Sequence, residues 1–416
     1  MLSNRWSLRV GLACVAGTLC AAPSGALAQT APAFPALLKQ AQASAPRLAL
    51  GAAETRAVQG LAVQAAARPN PTLGLMVENA AGSGPYKDFD SAETTLSIEQ
   101  PLELGGKRAA RTSAAQADVV AAQARAAQAQ IDFARDLALA YAGAEAGQRR
   151  LDIAQDGVDL AEADARAARL LVDNGKEAQV RALQAQAGLA TARAELGGIK
   201  ADAEAALAHL SALTGAPDGY ADVVGGLLDV AFATPLLEPS FSPAIAAARA
   251  ERDAAERRIA IERTRRAPDV AVSFGLRRLR GDDATAAVFG LSAPLPLFDR
   301  NRGAVAAATA NAQAAQARLA IVQADQEAER RAAAGQVAAS SQTLEASLQA
   351  QSAAAEAYRL ARIGYDAGRL PLSEVLSARR ELIAARGRAV DTKLARVKAF
   401  ADLARAQGRM PFGDQP

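Results

Sequence analysis

Few residues in this 416-residue chain have the type and spacing that metal binding or nucleophilic catalysis requires. The single histidine, His209, lies in a stretch that is predicted to be helical, and both cysteines, Cys14 and Cys20, lie near the N-terminus. A transition-metal site needs several nitrogen or sulfur ligands, and acyl transfer needs a nucleophile, a base and an orienting acid. The sequence also contains no phosphate-binding loop. We therefore expect no catalytic residue, no metal ligand and no cofactor.

The composition favours long helices. Half of the residues are hydrophobic, yet only 4% are aromatic. Much of the apolar half is alanine, which is the best helix former and allows helices to approach closely. The formal net charge is only +3, which gives no reason to expect a nucleic-acid partner.

The first 28 residues have the pattern of an export signal. Arg5 and Arg9 precede an apolar run that is too short to span a bilayer. Ala26 and Ala28 are small residues at the positions that a signal peptidase reads, so cleavage is expected between Ala28 and Gln29. Both cysteines precede that cut, so the mature chain would have no disulfide. A lipid anchor is the alternative, but neither cysteine lies in a good lipidation motif.

The remaining chain repeats once, at a spacing of 193 residues that relates Gly175 to Gly368 and Gly215 to Gly408. A period this long indicates a duplicated domain, because solenoid repeats run about 20–50 residues. Each half has a helix ending at a proline, a strand–turn–strand unit, a very long helix, a glycine turn and a return helix. The predicted units are a signal peptide, a first repeat, a linker at the equator of the helices, a second repeat and a tail, over residues 1–28, 29–215, 216–242, 243–410 and 411–416.

Each half is predicted to contain a β-hairpin with one apolar and one polar face. In the first, at about 71–100, Leu73 and Leu75 alternate with small or polar residues, and Phe274 follows the same pattern in the second, at about 269–295. Strands of this length and alternation fit membrane β-strands, although soluble hairpins alternate in the same way. Four strands are too few to close a barrel, and an open edge would leave unpaired amides in hydrocarbon. If the strands span a membrane, several copies must therefore share one barrel.

Two proline-free stretches predict helices of unusual length. The stretch from Pro101 to about 172, which contains no further proline, would extend about 100 Å at 1.5 Å per residue, and its narrow apolar stripe requires a partner of similar length. The return helix at 176–213 supplies part of that contact, and 302–365 with 372–406 repeats the arrangement. An isolated coiled coil is the alternative, but the strand pairs argue against it. The predicted fold class is mainly α, with long antiparallel helical hairpins and a small β part of four strands.

Two motifs carry a resemblance to a known family. They occupy residues 99–108 and 294–303, the predicted strand–helix junctions that contain Pro101 and Pro294. The chain resembles the outer membrane efflux protein (TolC-like) family, and in particular its CzcC-like heavy-metal efflux branch. The resemblance implies a homotrimer in which four strands per chain form a shared 12-strand outer membrane β-barrel. The long helices would form a trimeric periplasmic α-barrel.

The resemblance also implies a function and partners. The expected protein is the passive outer membrane channel of a tripartite RND-type efflux system. It would have a large periplasmic part with an equatorial belt at mid-length, and outer membrane lipid would surround its barrel. A periplasmic membrane fusion adaptor and an inner membrane RND pump would be its partners. Divalent heavy-metal cations are the expected cargo. Drug or solvent efflux and type I secretion are alternatives, and a periplasmic coiled-coil adaptor or scaffold is a more distant one.

Two predicted helix turns match the periplasmic tip of the family. The turns lie near 173–176 and 366–371, and each has a glycine where a left-handed backbone is needed. In the family, the adaptor meets the channel at this tip. The candidate adaptor-contact residues are Gly175, Gly368, Leu370 and Leu372.

The resemblance further implies an entrance gate next to the second turn. Tyr365 and Glu374 match a tyrosine and an acidic position of the family's gate. Leu370 and Ser377 depart from the family's arginine and second acid, and Arg181 stands where the first half would carry an acid. A Glu374–Arg181 ion pair between neighbouring helices is our hypothesis for the replacement. The alternative is that both are solvated helix charges, since exposed pairs contribute little.

Three arginines fall at the outer end of the second predicted hairpin, namely Arg277, Arg278 and Arg280. They are candidates for pairing with lipid phosphates at the cell surface. Solvation is the commoner outcome for such a charge run.

Overall fold

A computed structural model describes residues 29–230 and 242–412. The predicted signal peptide with Ala28, part of the linker and the end of the tail lie outside the described residues, and Gln29 begins the first strand. The elements in chain order are β1 (Gln29–Ala31), α1 (Phe34–Ser44), α2 (Pro46–Ala66), β2 (Thr72–Glu78), β3 (Glu93–Leu102), α3 (Lys107–Asp173), α4 (Gln179–Thr214), β4 (Tyr220–Val223), α5 (Pro243–Thr264), β5 (Val270–Leu279), β6 (Ala284–Ser292), α6 (Arg302–Asp366) and α7 (Leu372–Ala406). Two short 3₁₀ helices occupy Gly84–Tyr86 and Leu227–Asp229.

The helices dominate the fold, and the prediction of a mainly α fold with long antiparallel hairpins is confirmed. Helices α3 and α6 have 67 and 65 residues, which corresponds to about 100 Å each. Each packs along its return helix, α4 or α7, and α5 lies against both long helices. Most buried side chains of α3 are alanine, so the packed stripe is narrow and the helices lie close. None of the described helices combines the length and the apolar character needed to cross a membrane.

One antiparallel sheet contains the strands of both halves, in the order β2-β3-β5-β6. Strand β3 of the first half pairs with β5 of the second half over its whole length. The four predicted strands are therefore present, and the two hairpins lie side by side. Strands β2 and β6 are the outer strands of this sheet, and neither has a second neighbour within the described residues.

One face of this sheet is apolar and exposed. Leu73, Ile98, Phe274 and Phe289 follow one another in register across the four strands. Their exposed fractions are 73%, 48%, 46% and 78%. An apolar face that water would otherwise cover requires another apolar environment, as on the lipid side of a membrane strand.

The largest buried cluster lies at mid-length, where α1, α3, α4 and α7 meet the β1–β4 pair. Tyr141 of α3 is fully buried there, and the Phe34 ring meets it edge-on with 5.8 Å between centroids. Strands β1 and β4 pair in parallel, with Ala31 opposite Val223. The sequence pattern does not reveal this pair, because strands of three and four residues are too short for an alternating pattern to be recognised.

Candidate functional site

The two helix turns at the tip have the same backbone geometry. Gly175 and Gly368 have φ angles of +69° and +68°. The Gly175 N–H donates to the Val172 carbonyl at 2.9 Å, and the Gly368 N–H donates to the Tyr365 carbonyl at 2.8 Å. These bonds satisfy the last carbonyls of α3 and α6, and the left-handed position favours glycine. The two halves of the chain are therefore alike even in the backbone hydrogen bonds of their turns.

The two leucines beside the second turn have different surroundings. Leu370 is 40% exposed, and it lies so close to Gly364 that an added Cβ there would be 2.6 Å from the Leu370 Cδ1. Leu372 is 1% exposed and packs with Val375 and Ala361. As the first residue of α7, it belongs to the apolar stripe that faces the other helices. Its side chain is therefore not exposed to an adaptor, contrary to the surface role that we predicted.

The candidate gate residues lie near the tip but are not joined to one another. The Tyr365 side chain packs on the buried tip cluster, and its hydroxyl is buried with no hydrogen-bond partner among the described residues. Burial, with the negative charge of Glu177 nearby, raises the Tyr365 pKa. Glu374 is exposed in the first turn of α7, whereas Arg181 Nη1 donates to Gln184 Oε1 at 3.2 Å. Within the described part of this chain, the predicted Glu374–Arg181 ion pair is absent.

A buried ion cluster near the tip connects three helices, and it was not predicted from the sequence. Asp164 of α3 is 1% exposed, and its two oxygens accept from Arg362 Nη1 of α6 at 3.0 Å and Arg379 Nη1 of α7 at 2.9 Å. Burial raises the Asp164 pKa, and the two guanidinium groups oppose that shift. The available signal was an acidic residue within an apolar stripe, between the buried Ala161 and Ala168.

A second buried carboxylate holds the linker at mid-length. Glu145 of α3 is 3% exposed and accepts the backbone N–H groups of Gly226, Leu227 and Leu228 at 3.0, 2.9 and 3.2 Å. Three consecutive amides directed at one carboxylate compensate its burial, since charge-assisted hydrogen bonds are strong. Arg149 completes the arrangement with an ion pair to Glu145.

The same part of the linker carries a second, exposed carboxylate. Asp229 accepts from Arg149 of α3 and from Lys393 of α7, and the Lys393 Nζ lies 2.6 Å from its Oδ1. The hydrogen bond from Arg149 is the main cause that lowers the Asp229 pKa from 3.8 to about 2, with Lys393 adding to it. Asp229 therefore fixes the linker to both halves of the repeat.

The two strand–helix junctions differ in how they are covered. Pro101 lies in β3, and Lys107 at the start of α3 forms an ion pair with Asp269 at 2.7 Å, which joins this junction to the second half. Pro294 follows β6 in an exposed segment in which Phe298 is 98% exposed. Apolar side chains of the second junction are therefore exposed, because no described residue of the same chain packs over them.

The polar face of the sheet is lined by small residues. Gly74, Ser97 and Gly275 are in register across β2, β3 and β5. A Cβ added at Gly275 would lie 2.8 Å from the Leu96 carbonyl oxygen and 3.0 Å from the Ser97 Cβ. A side chain larger than glycine at Gly275 would therefore collide with β3.

Metal-ligating side chains do not gather in any described region. No group of three or more His, Cys, Asp and Glu side chains with a metal-binding arrangement occurs within residues 29–230 and 242–412. His209 is exposed on α4.

The sequence profile of the outer membrane efflux protein family matches residues 37–216 and 240–409. The chain belongs to this family. It is 41% identical over 405 residues to the nickel-cobalt-cadmium resistance protein NccC of Alcaligenes xylosoxydans xylosoxydans, with 96% of this chain and 92% of the relative covered. It is 43% identical over 313 residues to the nickel and cobalt resistance protein CnrC of Cupriavidus metallidurans, with 75% of each covered.

A third relative is the cobalt-zinc-cadmium resistance protein CzcC of Cupriavidus metallidurans, which is 33% identical over 359 residues with 84% of each chain covered. Among solved structures, the Neisseria gonorrhoeae channel MtrE in its open state matches with a TM-score of 0.78 at 19% identity, over 92% of this chain and 90% of MtrE. VceC of Vibrio cholerae matches with a TM-score of 0.74 at 23% identity, over 90% and 96%. These structures show that the fold is that of an outer membrane efflux channel, and the expected family and heavy-metal branch are confirmed.

Proposed function

We propose that the chain is the outer membrane channel of a tripartite efflux system and acts as a homotrimer. The observation that carries this proposal is the open four-stranded sheet, apolar on one face, at the end of paired helices about 100 Å long. Three copies supply twelve strands, and β6 of each copy then pairs with β2 of the next. Closure satisfies the two outer edges, which a hydrocarbon environment requires.

The proposed cargo is divalent heavy-metal cations. NccC, CnrC and CzcC carry nickel, cobalt, cadmium and zinc in their names, and NccC aligns with nearly the whole of this chain. The drug and secretion alternatives have weaker support, because the solved channels share the fold at only 15–23% identity. Such a cation would pass through the channel as a substrate and would not be a resident ion.

The proposed channel is a conduit and not an enzyme. Its energy would come from an inner membrane pump reached through a periplasmic adaptor, and its location would be the outer membrane with the helices in the periplasm. The tip turns with Gly175, Gly368 and the half-exposed Leu370 are the proposed docking region for the adaptor.

A deletion strain tests the function and the cargo together. We expect the strain to become sensitive to nickel, cobalt, cadmium or zinc, and we expect the plasmid-borne gene to restore tolerance. Unchanged metal tolerance together with lost drug tolerance would overturn the metal assignment. Recovery of the protein in the soluble periplasm instead of the outer membrane fraction would overturn the channel itself.

We further propose that Glu374 and Arg181 act at the entrance between neighbouring chains, with Tyr365 packed behind them. The proposal is supported by the exposed position of Glu374, by the half-buried position of Arg181 and by their place beside the tip turns. Single-channel conductance in planar bilayers tests it, because Glu374→Gln or Arg181→Ala should raise the conductance of a closed channel. Conductance unchanged in both variants would show that the two residues are only solvated helix charges.

A further inference from the structure

The charged residues of the four-stranded sheet are divided unequally between its two faces. Alternation along the paired strands places three acids and one base on the polar face, namely Glu78, Glu93, Glu99 and Arg277. Arg278 is the only charged residue of these four strands on the apolar face, and it forms an ion pair with Asp283 of the adjoining turn. The polar face therefore has an excess of negative charge.

Arg277 is held in a defined position on the polar face. Its Nη1 donates to Glu93 Oε2 at 2.9 Å, its Nη2 lies 3.1 Å from Glu78 Oε2, and its Nε donates to Thr95 Oγ1 at 3.0 Å. Asn79 Nδ2 donates to the other Glu93 oxygen at 3.3 Å. These contacts connect β2, β3 and β5. Arg277, Glu78 and Glu93 are called the mouth cluster below.

The mouth cluster lies at the end of the sheet that is farthest from the helices. Glu78 is the last residue of β2 and Glu93 is the first residue of β3, so both border the loop that joins these strands. Arg277 was a candidate for pairing with lipid phosphates in the sequence analysis. Its side chain instead lies on the polar face between two carboxylates, which corrects that expectation.

We infer that the mouth cluster determines the charge preference of the outer opening of the channel, an inference that rests on the proposed trimer. Each chain would bring the three acids and the one base of its polar face to a shared lumen. Rings of carboxylates raise the local concentration of cations and exclude anions. Arg277 neutralises one of the two acids at the mouth and holds both in place. The chemistry of the opening thus matches a cargo of small metal cations.

The reversal potential of single channels in planar bilayers tests the inference. Under a KCl gradient at about 10–100 mM, where the Debye length is about 30–10 Å, we expect the unmodified channel to favour K⁺ over Cl⁻. Arg277→Gln should raise the permeability ratio by about twofold or more, and Glu78→Gln and Glu93→Gln should each lower it. Arg277→Lys keeps the charge and should leave the ratio close to that of the unmodified channel.

Arg278→Gln is the matched control, because it removes the neighbouring charge from the opposite face and should leave selectivity unchanged. If the Arg277→Gln trimer fails to assemble, the two glutamate variants decide the question. Channels whose selectivity is the same in Glu78→Gln, Glu93→Gln and Arg278→Gln would overturn the inference while leaving the channel function intact. Absence of any channel activity from the unmodified protein would instead overturn the proposed function. All differences should disappear near 1 M salt, where the Debye length is about 3 Å.

Discussion

Three buried charged side chains in the described part of the chain occupy helix positions at which small apolar side chains would normally pack. Asp164 and Glu145 lie in the alanine stripe of α3, and Arg379 lies in the apolar stripe of α7. A buried charge is expensive unless it is paired and hydrogen-bonded. Each of the two acids meets this condition: Asp164 connects α3 with α6 and α7, and Glu145 connects α3 with the linker.

The ion cluster of Asp164 should be important for stability. In Asp164→Asn, the 8%-exposed Arg379 side chain loses its charged partner, and we expect the free energy of unfolding to fall by about 3–5 kcal/mol. Denaturant unfolding of the purified protein measures this change. Asp156→Asn is the control, because Asp156 is 61% exposed in its pair with Arg386 and should cost less than about 1 kcal/mol. Equal effects in both variants would contradict the special role of the buried cluster.

The linker contact of Asp229 should depend on pH. Its folded pKa of about 2 lies below the usual 3.8, so ionised Asp229 stabilises the fold above about pH 4, and this contribution is lost as the pH falls through 2. We therefore expect Asp229→Asn to be less stable than the unmodified chain at pH 6, with most of this difference lost near pH 2. Unfolding curves at both pH values measure the difference in the free energy of unfolding. This difference should be small, because the Asp229 side chain is half exposed to solvent. A difference that persists unchanged at pH 2 would show that the charge is not its cause.

At the scale of elements, the long helices depend on sharp turns that return the chain along its own path. In each turn, the backbone N–H groups of a left-handed glycine and of the residue after it donate to the last carbonyls of a long helix. The two turns are 193 residues apart and have nearly identical φ angles at Gly175 and Gly368. Turn geometry therefore determines the register in which α4 and α7 pack on their partners.

Substitution at the turns should be costly, whereas substitution within a return helix should not. We expect Gly175→Ala and Gly368→Ala each to lower the free energy of unfolding by about 1–2 kcal/mol, because alanine disfavours positive φ. Gly197→Ala is the control, since Gly197 lies within exposed α4 with no neighbouring atom within 4 Å of an added Cβ and should be neutral or stabilising by up to about 1 kcal/mol. Thermal unfolding followed by circular dichroism distinguishes these outcomes, and a stabilised Gly175→Ala would contradict the turn argument.

At the scale of the whole molecule, the four-stranded sheet has no partners for its two outer strands among the residues that the structure describes. The helices bury a stripe against one another, whereas this sheet exposes an apolar face. Exposed edges favour pairing with another strand, and copies of this chain supply complementary edges. The proposed trimer is the simplest assembly that removes both edges and forms a passage.

Opposite faces of one strand should respond differently to a polar side chain. Phe289→Arg introduces a charge into the apolar face of β6, and we expect a cost of about 2–4 kcal/mol if that face meets lipid at the bilayer midplane. Assembled trimer in the outer membrane fraction, measured by heat modifiability, should fall strongly. Val288→Ser on the polar face is the control and should leave the amount of trimer unchanged. Normal assembly of Phe289→Arg would show that this face does not contact lipid.

Local patterns along the sequence determined the type and the approximate bounds of most elements. The hydrophobic periods of 3.6 residues in helices and 2 residues in strands depend only on neighbouring residues. The helix pattern at 372–406 and the strand alternation at Leu73 and Phe274 could therefore be recognised without knowledge of the tertiary structure. The two glycine turns could be predicted for the same reason, because a left-handed backbone is a property of a single residue. The repeat then placed both hairpins in the same order within each half.

The tertiary structure alone decided which distant groups meet. Asp164 pairs with arginines 198 and 215 residues away, and Arg277 reaches Glu93 across 184 residues. The tertiary structure also determined the burial of Leu372 and the pairing of β1 with β4. Such contacts depend on how helices and strands pack in space, and the periodicity of a single segment does not specify the segment that packs against it.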